Sequence, residues 1–147
     1  MKLPKLFLIF FLGAILLAAG QENKRLDSLL VAYQSQKQDT LKVKTLDQLF
    51  SELRHEDWEK ANAFNKELIF LSKKLNYLKG EGIGYLNQAY YYRFLPNIDS
   101  ARFYFSKSVE LLKRNATKNE LWKSLNEYAV FETLQGDFDK AISLADE

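Results

Sequence analysis

The chain has 147 residues, 47% of them hydrophobic and 14% aromatic, with 21 Lys and Arg against 19 Asp and Glu. One domain fits that length, and the absence of any cysteine excludes disulfides and a lipid-modified cysteine. Removing Lys2 and Lys5 with the leader proposed below leaves 19 basic against 19 acidic residues, so no basic excess argues for a nucleic-acid partner.

Residues 1–20 read as a secretory signal peptide. Lys2 and Lys5 form a basic start, residues 6–17 are twelve apolar or small residues, and Ala18 and Gly20 occupy the small positions before a cut. The apolar run is shorter than the roughly 20 residues that span a bilayer. Cleavage after Gly20 and a periplasmic or otherwise exported location are therefore expected. The alternative is a membrane anchor over residues 6–20. Residues 21–39 make an N-terminal helix and linker. Leu26, Leu29, Leu30 and Tyr33 at helical spacing predict a helix over about 24–35.

Residues 40–147 form the main domain. Thr40 is placed to cap a helix carrying Leu46, Leu49, Phe50 and Leu53 to about Arg54. After a turn at His55–Asp57, a second helix runs over about 58–75. Residues 76–80 read as a break, so the third helix is expected from about Gly82 to Phe94, stopped by Pro96. A fourth follows over about 99–114, a fifth carries Trp122, Leu125, Tyr128 and Phe131 up to Gly136, and a sixth opens at Phe138. No stretch alternates with the period of two that a strand needs. The reading is all-α.

The segments before Ala61, Ala101 and Ala141 repeat with a period of 40: a polar turn, a large residue (Trp58, Ile98, Phe138), two polar or small residues, then alanine. A period of that size marks a repeat array. The alanines fit the closest crossing of paired helices, and the large residue three positions earlier would plug the gap between the pair.

In these residues the sequence resembles the tetratricopeptide repeat (TPR) family. Ala89 and Ala129 match the small position of its helix A, Tyr92 the aromatic one, Trp58 and Phe138 the start of helix B, and the three alanines its small position. Leu49, Glu52, Asn65 and Glu132 depart from the pattern. The resemblance implies a right-handed α-solenoid of antiparallel helix pairs, about 2.5 repeats here, with helix A lining an inner groove. Carried over, the groove positions are Leu86, Tyr90, Arg93 and Phe94 in the second repeat and Lys123, Asn126, Val130 and Thr133 in the third. The implied partner is a protein or peptide, with no cofactor and no enzymatic activity. A leader followed by long repeats is also similar to the N-terminal sensory part of Bacteroidetes-type signalling proteins. That second resemblance offers the alternative of a sensory fragment from a histidine kinase or transcriptional regulator.

Other constellations carry less. His55 is the only histidine, in a turn, and metal-ligand spacing is absent. Gly80, Gly82 and Gly84 follow a helix rather than the strand a phosphate loop requires, which makes them an inter-repeat turn. Asn115-Ala116-Thr117 matches a glycosylation sequon but reads as a turn. The acids at 56, 57, 59, 137 and 139 sit where helix N-termini favour negative charge. The last helix, about two turns long, would leave Trp122, Phe131 and Phe138 short of partners. Self-association through the C-terminal edge, or fraying after Gly136, is the expectation.

Overall fold

A computed structural model describes residues 24–147, and the chain divides after Ser35 into two compact units. The leader expected over residues 1–20 lies outside the described residues. Among the described residues no helix is long and apolar enough to cross a membrane. In the first unit, residues 24–35 form helix α1.

The second unit is six helices: α2 (Thr40–Leu53), α3 (Trp58–Lys74), α4 (Leu78–Phe94), α5 (Ile98–Asn115), α6 (Lys118–Gln135) and α7 (Phe138–Ala145). Each packs on the next, and α2 also reaches α4. The result is an all-α array of stacked antiparallel helix pairs: α2 with α3, α4 with α5, α6 with α7. The period of 40 recurs in the caps. Asp57, Asn97 and Asp137 each accept a hydrogen bond from the amide three residues on, satisfying a donor that the first turn leaves free. The turn acids Asp57 and Asp137 are therefore caps as well as favourable charges. Asp39, not Thr40, caps α2, taking the amides of Leu41 and Lys42 at 2.9 and 3.1 Å. One carboxylate oxygen, Oδ1, takes both donors, and Thr40 becomes the first helical residue. Gly136 ends α6 at φ 83°, a left-handed conformation that only glycine adopts without strain.

The alanines behave as the repeat requires: Ala61, Ala101 and Ala141 are all buried. Phe50, Leu68, Phe105 and Phe131 fill the core around them. The plug does not hold for every pair. Trp58 packs on Phe50 and stacks on Phe94, whereas Ile98 and Phe138 are 43% and 63% exposed. Phe131 was expected to be left partly without a partner surface, yet it is buried, with Phe105 at 5.2 Å. Trp122 and Phe138 do stand exposed.

The largest difference from expectation is the start of α4. Residues 78–81 are helical, and the glycines at 80, 82 and 84 are buried inside the helix rather than in a turn. Glycine costs up to about 1 kcal/mol per helical position, which is why the sequence reads as a break. Close packing overrides that cost. A Cβ on Gly84 would stand 2.5 Å from Ile69 of α3, and one on Gly82 would stand 2.9 Å from Leu112 of α5. The glycines let α4 lie tight between its two neighbours. Polar side chains hold the same crossing: the Ser108 hydroxyl donates to the Gly82 carbonyl at 2.8 Å, and the Ser124 hydroxyl donates to Ser108 at 2.9 Å.

Candidate functional site: a cleft on the first helices of the pairs

Helices α2, α4 and α6 hold the same place in the three pairs, and between them opens a cleft of about 490 Å³. Helical spacing supplies each wall. From α2 come Leu41, Lys44 and Asp47; from α4, Lys79, Ile83, Leu86 and Asn87; from α6, Glu120 and Lys123. Leu112 of α5 adds apolar surface. A second depression, of about 350 Å³, lies on the other side of the array, where Lys66, Lys73, Phe103 and Lys107 of α3 and α5 border Tyr85 and Tyr92 of α4.

The repeat brings equivalent positions together in the cleft. Asp47 and Asn87 are 40 residues apart, and the Asn87 amide donates to the Asp47 carboxylate at 2.8 Å. Burial raises the Asp47 pKa above the ordinary carboxylate value; the Asn87 hydrogen bond and the charges of Lys123 and Arg54 only partly offset it. Lys79 and Glu120 form an ion pair across α4 and α6. Glu120 also accepts from the Thr117 backbone amide and hydroxyl at 2.8 and 2.6 Å, which seats the start of α6. Burial works to raise the Glu120 pKa, but the hydrogen bonds from Lys79 and Thr117 outweigh it and hold it low. The Glu120 hydrogen bond in turn raises Lys79.

The residues carried over from the resemblance do not stay together. Leu86 and Lys123 line the cleft. Tyr90, expected in the groove, is only 3% exposed. Its ring meets Phe105 edge-on at 6.3 Å, with the guanidinium groups of Arg54 and Arg93 at 4.9 and 5.3 Å. Burial, then the nearby charge of Glu127, raises its phenol pKa. The ring is a core element under a polar lid, because α4 turns that position toward α5. Arg93 stays exposed, 3.9 Å from Glu127. Phe94 belongs to a different cluster, stacked on Trp58 at 4.9 Å. Asn126, Val130 and Thr133 are exposed on α6 but do not line the cavity, and the Thr133 hydroxyl donates back to the Ala129 carbonyl. Tyr85 and Tyr92 both pack on Tyr104 of α5.

Asp47, Asn87, Lys44 and Ile83 were missed. An acid and a lysine on a helix read as a solvated face. The signal that could have found Asp47 is the row at intervals of 40, Asp47, Asn87 and Glu127, polar at an inward position in every pair. Among the described residues no group of three His, Cys, Asp or Glu side chains is placed to hold a metal. His55 is exposed in its turn and accepts from Arg54 at 3.2 Å. Asn115, the sequon asparagine, ends α5 and donates to the Leu111 carbonyl.

No family model matches the chain, and a search of curated proteins finds no similar sequence. Among solved structures, BtubC (BKLC) from P. vanneervenii is similar, with a TM-score of 0.71 at 14% identity. The likeness covers 86% of this chain and 55% of that one, so the chain spans little more than half the length of BtubC. At this identity the likeness shows the fold, a stacked array of helix pairs.

Proposed function

We propose that this is an exported, tetratricopeptide-like scaffold that binds a protein or peptide segment in the cleft between α2, α4 and α6. The observation that carries the reading is the cleft itself, which lies on the first helix of each pair and includes Leu86 and Lys123 from the expected groove. Its lining mixes apolar surface with a few polar groups, the composition typical of recognition sites. Export rests on the leader pattern in residues 1–20. A membrane-held or larger signalling protein would use the same cleft.

Charge reversal tests the location. Lys44→Glu with Lys123→Glu on the full chain should abolish recovery of the partner from the cell envelope. The control pair Lys66→Glu with Lys107→Glu, on the opposite side, should leave recovery unchanged. Equal loss from both pairs, or loss only from the control pair, would place the binding surface elsewhere.

A further inference from the structure

Asp47 is a charge in the cleft with no counter-ion at contact distance among the described residues. Its hydrogen-bond partner is the neutral Asn87 amide at 2.8 Å, and no ion pair among the described residues engages it. An asparagine would accept the same hydrogen bond without placing a charge in this half-buried position, so packing alone does not ask for a carboxylate here. Desolvated, perturbed carboxylates in clefts concentrate at functional sites. Lys123 and Arg54 act on Asp47 through their charge alone. The other charged groups in the cleft are Lys44, one turn before Asp47 on α2, and the mutually paired Lys79 and Glu120.

The cavity thus presents one anion with no ion pair among the described residues, two exposed cations in Lys44 and Lys123, and apolar surface from Ile83, Leu86 and Leu112. A purely basic ligand would meet the lysines. A purely acidic one would meet Asp47. A small ligand carrying both signs a few bonds apart, on an apolar body, satisfies all three. The volume of about 490 Å³ lies within the roughly 300–1,000 Å³ of small-ligand sites.

We propose that the cleft binds a zwitterionic apolar amino acid or dipeptide. Its α-ammonium group donates to the Asp47 carboxylate, its own carboxylate meets Lys44 and Lys123, and its side chain lies against Ile83 and Leu86. The proposal rests on reading this cleft as the binding site and narrows its peptide to the shortest form.

Calorimetry on the full chain with four probes tests it: L-leucine, L-leucyl-L-leucine, leucinamide and N-acetylleucine. Leucine or the dipeptide should bind at millimolar concentration or better, and which of the two binds tighter separates free amino acid from dipeptide. Leucinamide, without the carboxylate, and N-acetylleucine, without the ammonium, should each bind at least about tenfold more weakly, or 1.4 kcal/mol. Asp47→Asn should cost leucine about tenfold or more while leaving N-acetylleucine unchanged, and Lys123→Met should spare leucinamide in the same way. Thermal melts of both variants confirm that the fold is retained. Absence of binding by leucine and the dipeptide, or affinity indifferent to removal of either charge, would overturn the proposal. A partner still captured through the cleft when no amino acid binds would leave the protein-binding reading standing and overturn this one alone.

Discussion

An asparagine at position 47 would keep the Asn87 hydrogen bond, and this gives the half-buried carboxylate a measurable signature. The Asp47 pKa is raised by burial, so the folded protein holds that proton more tightly than the unfolded chain. Stability from this group is therefore greatest below the unfolded carboxylate pKa and falls as pH rises through the folded value. Asp47→Asn should raise the melting temperature at neutral pH, and the gain should vanish in acid, where both side chains are neutral. A variant less stable than the parent at neutral pH would mean that the carboxylate has a structural partner. The pair Arg102–Glu132 shows the opposite case. Glu132 is wholly buried and takes two hydrogen bonds from Arg102, at 2.7 and 2.6 Å. Glu132 stands where the resemblance leads one to expect an aromatic and looked from the sequence like a simple departure, because the arginine that answers it lies 30 residues away on another helix. Arg102→Ala would strand a buried charge and should destabilise by about 3 kcal/mol in urea titrations. The double change Arg102→Leu with Glu132→Leu should recover most of that loss. Equal losses from single and double variants would contradict the pairing.

At the scale of elements, the helices that read clearly in the sequence are those whose own residues dictate them. Trp58 to Leu71 keep an apolar stripe, and Pro96 and Gly136 stop their helices for backbone reasons. The start of α4 was illegible because its cause is not local. Gly80, Gly82 and Gly84 lower helix propensity, and only the surfaces of α3 and α5 explain why they belong inside a helix. Gly84→Ala therefore separates two forces. In an isolated helix alanine would gain up to about 1 kcal/mol over glycine. Here its Cβ would stand 2.5 Å from Ile69 and 2.9 Å from Leu68. We expect a net loss of about 1–3 kcal/mol in chemical denaturation, as for other overpacked cores. A stabilised Gly84→Ala would show that α4 does not pass so close to α3. The same distinction explains the aromatics of α4. Helical spacing does not let them all face one way, and which of them meets α5 is fixed by the packing of pairs, which takes Tyr90 into the core. Tyr90→Ala should accordingly cost about 3–5 kcal/mol, as deletion of a large buried ring does, and thermal melts check this directly.

For the whole molecule, the period of 40 made the array and the placement of its alanines legible. It also put Leu86 and Lys123 of the expected groove in the cleft. Of the other six, Tyr90 enters the core, and Arg93, Phe94, Asn126, Val130 and Thr133 spread over surface beyond the cavity, because the positions carried over from the resemblance fix a helix face but not where along it the walls converge. The convergence comes from α2, which supplies Lys44 and Asp47 opposite α4 and α6. Binding on the first helices of the pairs is the central claim, and photocrosslinking tests it most directly. A benzophenone amino acid is placed in the full chain at position 44 or 123, and in parallel at position 70 or 103 on α3 and α5, then irradiated in the intact cell envelope. The account predicts a discrete adduct from positions 44 and 123 and none from 70 and 103. Adducts confined to positions 70 and 103, or formed equally from both sides, would contradict it.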